Sequence, residues 1–412
     1  MGDGGVTPPT TLRARVGRLA QRLVPDLDER QWNRKRDREM RELLAAGGYS
    51  TRLADLPVST VPAPRAPHLV IVPKEGSTYD TWRAAGGNFF FEISQAAREY
   101  YGDAKVSLFS PDPDESVPDW QARLIRYLVT SGATHLMAMV ETDPDGAETW
   151  SWDVLWSQLS TRWDGVFLGV MFDSAYRWIT IPTRRLARTS DRFVLVDIAM
   201  PMDGSLVKGR PEVGPVNMPV SNLSLALIDE HIGSLPKIHD VTFVGSLYPG
   251  RVAMIEELRA HGVRVAVNPH HASGEVLDLA GSRSNQPGYV GYMSALAQSH
   301  MTINFGRSSV GDVYQLKTRV LESASMGCIV LTDDVDRTDR FWVQGEEFGW
   351  FETPADVPAL VRSFLDDPDR MRRVQEAGRA KARSINVSSF WGGVEQGLAR
   401  RGLPLILSAP AG

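Results

Sequence analysis

The stretch Val310–Asp334, VGDVYQLKTRVLESASMGCIVLTDD, decides how this chain is read. A Gly-bearing loop delivers Lys317 and Arg319 to the opening of a predicted helix, Thr318–Met326. Glu322 follows on that helix, and Ser323, Ala324, Ser325 and Gly327 keep one side of it small. An apolar strand, Cys328–Leu331, comes next. A helix N-terminus carries roughly half a positive charge and presents unpaired N–H groups, so it suits a diphosphate. Two cations at the first turn add to that, and a carboxylate further along can accept hydrogen bonds from ribose hydroxyls. The stretch reads as a grip for a nucleotide-linked sugar.

Outward from it, apolar strands alternate with helical segments. His68–Val72, Val106–Phe109, His135–Val140, Val166–Phe172 and Phe193–Val196 form one set of strands. Val241–Val244, Val263–Val267, Met301–Phe305 and Cys328–Leu331 form another. Helices are predicted at Gly87–Tyr101, Arg251–His261, Tyr292–Ser299 and Pro358–Ser384. Near-continuous apolar strands separated by helices are the pattern of parallel sheets covered on both faces. At 412 residues the chain is too long for one ordinary core, so two α/β domains plus an extension are expected.

Residues 1–67 read as the extension. Leu12, Val16, Leu19 and Leu23 share a helical face ringed by Arg13, Arg15, Arg18 and Arg22, with Pro25 stopping the helix. One reading packs this helix on the protein or on a second copy. The other lays it on an anionic membrane surface. Pro57–Pro67 is a Pro-rich linker. The divisions that follow are a first sheet domain over 68–222, a second over 223–389, and a tail over 390–412.

Composition narrows the partners. Hydrophobic content of 42% and a net charge of −5 describe a soluble globular protein without a bias towards polyanions, which disfavours nucleic acid. The single cysteine, Cys328, excludes an intrachain disulfide and makes a thiolate metal site implausible. No signal peptide and no run of about 18 apolar residues is present, so a cytoplasmic location is expected.

Ligands of open parallel sheets bind beyond the carboxyl ends of the strands. In the first set this rule selects Lys74 and Glu75, Glu141, Asp173 and Asp197. In the second it selects Gly245 and Ser246, Asn268, Gly306 and Arg307, and Asp333. It counts against His68 and His135, which open their strands. Gly86 and Gly87 close the loop after the first strand; they permit close approach of a phosphate or sugar, or serve a tight turn. Arg251 stands near the start of the helix after Gly245-Ser246, where Pro249 is an ordinary helix starter. Lys317 and Arg319 cannot share one helical face; one holds phosphate while the other pairs with Glu322. Asp112-Pro-Asp114 and Asp143-Pro-Asp145 offer a metal-binding reading, but Asp-Pro is a common turn starter and the reading favoured is turns. His270-His271 lack further ligands nearby. Trp152, Trp156 and Leu159 share a helical face and read as core, leaving Trp150 as the candidate to stack on an acceptor sugar.

The Lys-x-Arg-x-x-Glu run, the small-residue helix ending at Gly327 and the strand ending in Asp333-Asp334 resemble the donor half of GT-B glycosyltransferases. The spore-maturation-type branch of the family-one-like group is the nearest in pattern. Asp240–Arg251, DVTFVGSLYPGR, resembles the first strand and glycine loop of the same half. The pattern departs at Tyr314, where many retaining members carry a second glutamate. The resemblance implies two Rossmann-like domains facing a cleft, with the tail returning to the first. It implies transfer of a sugar from a nucleoside-diphosphate donor to a glycan, protein or small-molecule acceptor, without metal or other cofactor. In that frame Gly245, Ser246, Arg251, Lys317, Arg319, Glu322, Gly86 and Gly87 meet the donor, and Lys74, Glu141 and Trp150 meet the acceptor. Asp173 is the expected general base, with Glu75 second. A non-catalytic binding module and a nucleotide-sugar epimerase are the alternatives.

Overall fold

The computed structural model describes residues 25–45, 56, 66–73, 89–112, 114–140, 152–172, 177–198, 212–244, 249–267, 289–306, 316–333 and 338–407. The chain divides into two compact units, Met1–Leu56 and Pro57–Gly412. In the first, Pro25–Ala45 forms helix α1. Pro25 stands at its opening, where the missing N–H costs nothing. Arg34, Lys35 and Arg38 are exposed along α1, while Glu29 is buried. The predicted helix over Leu12–Leu23 lies outside the described residues.

The second unit opens with strand β1 (Leu69–Val72), helix α2 (Phe89–Tyr101) and strand β2 (Val106–Leu108). Then come α3 (Val117–Ser131), β3 (His135–Met139), α4 (Trp152–Leu159), β4 (Val166–Met171), α5 (Arg177–Thr189) and β5 (Phe193–Asp197). These strands make one parallel sheet in the order β2-β1-β3-β4-β5. β1 reads Leu-Val-Ile-Val and is buried at every position, as a central strand covered on both faces must be. Gly132 ends α3 in the left-handed region at φ 75°, where a side chain would be strained.

Helix α6 (Asn222–His231) leads to β6 (His239–Phe243), α7 (Pro249–Ala260), β7 (Val265–Val267), α8 (Tyr289–Ala297), β8 (Ser299–Asn304), α9 (Arg319–Ser325) and β9 (Ile329–Thr332). A two-residue strand β10 (Gly349–Trp350) pairs parallel with β9, and the sheet runs β10-β9-β8-β6-β7. Read from the β7 edge, it repeats the strand order of the first sheet. In both, the direction of winding reverses between the first and third strands, and that reversal opens a crevice at their carboxyl ends.

The single helix expected over Pro358–Ser384 is two, α10 (Val357–Leu365) and α11 (Pro368–Ile385). Asp367 breaks it: its carboxylate accepts the Arg370 N–H at 2.9 Å and Pro368 starts the new helix. The chain then forms α12 (Ser388–Arg400), whose Phe390, Trp391, Val394 and Leu398 lie in one core with Leu69, Ile71 and Val194 of the first sheet. Tyr101 donates to Glu395 at 2.8 Å across this contact. Trp152, Trp156 and Leu159 are buried, in keeping with their reading as core. Among the described residues no helix is long and apolar enough to cross a membrane.

Candidate functional site

At the carboxyl ends of β6 and β8 the structure builds an aromatic platform. Phe243 closes β6 and Phe305 follows β8, with ring centroids 6.2 Å apart. Phe351 backs Phe305 at 5.8 Å. Arg251, on the first turns of α7, places its guanidinium 5.0 Å from Phe305 and 5.7 Å from Phe243. Arg319, opening α9, lies 5.9 Å from the same Phe243 ring. Two arginines thus converge at the crevice between β6 and β8, supported on ring faces that attract cations without neutralising them.

Arg319 donates from Nη1 to the Ile303 carbonyl at 3.4 Å, while its Nε is buried without a hydrogen-bond partner. The hydroxyl of Ser323, one turn along, is likewise buried and unmet. Leaving a buried donor unsatisfied costs about 1–3 kcal/mol, a cost also met at the indole N–H groups of Trp156 and Trp391 in the cores. Lys317 is half-buried two residues before α9, and its carbonyl receives the Val320 N–H at 3.3 Å. Gly306 is held by Asp333, whose Oδ1 accepts the Gly306 N–H at 3.0 Å, so Asp333 braces the loop after β8.

Glu322 is only 4% exposed. Burial pushes its carboxyl up to about 7, and the hydrogen bond from Tyr292 and the charge of Arg319 pull the other way. Tyr292 Oη donates to Glu322 Oε2 at 2.8 Å. The expected pairing of Glu322 with one of its helix neighbours is therefore corrected: α8 supplies the hydrogen bond, and Arg319 acts through charge alone. The helix dipole also counts for less than expected. α9 is seven residues long, and its cap residue Thr318 makes no side-chain cap hydrogen bond. Positive potential here comes from side chains.

Gly245, Ser246, Gly86, Gly87, Lys74, Glu75, Glu141, Trp150 and Asp173 lie outside the described residues, as do Asn268, His270, His271, Arg307, Tyr314, Asp143 and Asp145. Asp112 is exposed in a turn, its carbonyl accepting the Glu115 N–H at 3.0 Å. Asp197 is buried at the end of β5, where its N–H bonds the Val213 carbonyl at 2.8 Å. The two strand-opening histidines are structural. His68 Nε2 bonds Ser107 Oγ at 2.8 Å, and His135 spans Thr134 Oγ1 at 2.8 Å and the Pro404 carbonyl at 2.9 Å. No group of three or more potential metal ligands occurs among the described residues.

Residues 251–386 match the family model described as glycosyl transferase-like, a stretch that contains Arg251, Tyr292, Lys317, Arg319 and Glu322. Among solved structures, an alpha-glucosyltransferase in complex with UDP and a 13-mer DNA aligns with a TM-score of 0.52. At 10% identity it covers 81% of this chain and 99% of its own. An alpha-glucosyltransferase in complex with UDP-glucose and DNA containing an abasic site aligns with a TM-score of 0.50 at 10% identity, covering 82% of this chain and 99% of its own. The fold is GT-B. A search of curated proteins finds no match. At this identity the likeness speaks for the GT-B architecture and leaves donor and acceptor to the chemistry of the site.

Proposed function

We propose that this GT-B chain is a glycosyltransferase that holds a nucleoside-diphosphate sugar at the β6–β8 crevice and passes the sugar to an acceptor at the first sheet. The observation that carries this reading is the convergence of Arg251 and Arg319 on Phe243, with the buried Glu322 on the same short helix as Arg319. A diphosphate leaving group gains negative charge as the glycosidic bond breaks, and preorganised cations in a poorly hydrated site stabilise that charge most where it develops. Lys317 adds a third cation two residues from Arg319. With three protein cations at the diphosphate, the transfer proceeds without a divalent metal. Glu322 then accepts from ribose hydroxyls, as a buried carboxylate with one hydrogen bond already filled by Tyr292 can do.

For an inverting transfer, Asp173 after β4 takes the proton of the acceptor hydroxyl as that oxygen attacks the anomeric carbon; Glu75 after β1 is the second choice. In chain order Lys74 comes after β1, Glu141 after β3 and Trp150 before α4, and these three serve the acceptor. The acceptor is a glycan, a protein or a small molecule. Incubation with a panel of nucleotide sugars tests the reading. Slow release of free nucleoside diphosphate supports it; an isomerised donor would make the chain an epimerase, and no binding would make it a non-catalytic module.

A further inference from the structure

The crevice lies beyond the carboxyl ends of the second sheet, and a separate cavity opens at the other end of the same strands. Its wall takes in Lys237, shortly before β6, and Gly327, shortly before β9. β6 is 5 residues long, so about 16 Å of strand separates the two places. The cavity measures about 200 Å³ and sits between α6, α9 and α11. Its inner wall is apolar, for Ile228, Ala297 and Met326 are buried in one core cluster. Lys237, Arg372 and Arg379 also line it, and Glu376 is the one carboxylate among the described lining residues.

The fold accounts for each cation only in part. Lys237 Nζ donates to the Ser299 carbonyl at 2.8 Å and to the Gly327 carbonyl at 3.0 Å. An ammonium has a third donor, and among the described residues no carboxylate pairs with this one. Arg379 runs beside the same glycine, its Cδ 3.7 Å from where a Cβ on Gly327 would stand. Its guanidinium donates to Asp229 Oδ1 at 2.9 Å. That carboxylate is already held at both oxygens by Arg383, at 2.8 and 2.6 Å, so two guanidinium groups share one aspartate. Arg372 is exposed at the mouth and pairs with exposed Asp369 at 3.1 Å, a contact worth little in water. Lys237, Arg372, Arg379 and Arg383 thus stand against Asp229, Asp369 and Glu376, which leaves positive charge in surplus.

We propose that this cavity is a second binding site, which takes a small organic phosphate monoester. A phosphate monoester presents three terminal oxygens, one for each of Lys237, Arg372 and Arg379, and guanidinium forks suit such oxygens. The apolar inner wall takes the organic body of the ligand. At about 200 Å³ the cavity is smaller than the roughly 300–1,000 Å³ that drug-sized ligands occupy, so the body is small. The site stands apart from Arg251 and Arg319 and does not depend on their role.

The test is calorimetric titration of the full chain with phenyl phosphate and with inorganic phosphate. Phenyl phosphate should bind about fivefold or more tighter than inorganic phosphate, because its ring reaches the apolar wall. Lys237→Met and Arg372→Gln should each weaken it about tenfold or more, as the loss of a charge-assisted hydrogen bond does. Lys237 also ties two carbonyls, so exposed Arg372 supplies the variant that serves if Lys237→Met does not fold. Arg373→Gln removes an equal charge from the same helix outside the cavity and should leave the affinity unchanged. Arg319→Met, at the crevice, should leave it unchanged as well. Absence of phenyl phosphate binding overturns the proposal, and so does equal affinity for the two phosphates. Affinity that survives both Lys237→Met and Arg372→Gln, or that is lost in Arg319→Met, overturns it too, since the phosphate then sits elsewhere.

Discussion

Arg251 and Arg319 face the same phenyl ring, 5.7 and 5.9 Å from the centre of Phe243. Neither stands in a direct ion pair with Glu322, whose hydrogen bond comes from Tyr292. The ring face of Phe243 attracts both guanidinium groups without adding a negative charge of its own.

Replacing either arginine with methionine should keep the packing on Phe243 and remove the charge. Each charge-assisted hydrogen bond lost is worth about 1.5–3 kcal/mol, so donor affinity should fall tenfold or more with little change in melting temperature. Lys317→Ala and Glu322→Ala should weaken the donor to a similar degree. Undiminished affinity across the set, measured calorimetrically, would remove the cradle from this place.

Tyr292→Phe isolates the other side of the site. The Tyr292 hydrogen bond favours ionised Glu322. Without it, Glu322 should titrate at higher pH and donor binding should begin to fail at higher pH. A stability loss of about 1 kcal/mol should accompany this. An unchanged pH dependence of binding would show that Tyr292 serves packing alone.

His135 gives the first sheet a pH-dependent term. Burial holds its ring at about 4, against 6.5 in an ordinary setting. The unfolded chain therefore takes up a proton that the folded one refuses between those values. The contribution falls as pH drops from 6.5 towards 4 and is constant below, amounting to about 3 kcal/mol over that window. Glu92 and Glu322 act oppositely: their raised values favour the fold at low pH, and that advantage fades as pH rises from 4.5 to about 7. Urea denaturation of wild type and His135→Gln should show the difference between them shrinking on acidification. A constant difference would mean that His135 is not buried neutral.

Turnover should persist in excess chelator if protein cations neutralise the leaving diphosphate. Loss on chelation with recovery on adding Mn²⁺, and equally inactive Asp143→Ala, would replace that account with a metal-assisted one.

Asp173→Asn separates a base from a helix cap. A base contributes roughly a hundred- to ten-thousandfold, so turnover should collapse while donor affinity, set in the other half, stays. Normal melting with near-normal turnover would end the assignment, since asparagine caps a helix as well as aspartate does.

Much of the fold was legible because buried parallel strands announce themselves. Leu69–Val72 and Phe193–Asp197 are apolar runs that differ from their predicted bounds by a residue. Short or half-exposed pieces were not. Gly349–Trp350 is too brief to show any period, and Asp367-Pro368 broke a helix whose apolar pattern runs on across it. At the site, Lys317, Arg319 and Glu322 carried a recognisable spacing along the chain. Tyr292 and Phe243 carried none, because their roles arise from contacts between elements distant in sequence.

The core of the first sheet contains Phe390, Trp391, Val394, Leu398 and Ile406, the last large apolar side chains of that cluster to be synthesised. Chains usually fold from the N-terminus as they emerge from the ribosome. Here the earlier half keeps an open core until α12 has been made. The strands of the later half, β6 to β10, have all emerged before α12 appears. Assembly on the ribosome should therefore run backwards: the half made second closes first, and α12 then completes the half made first.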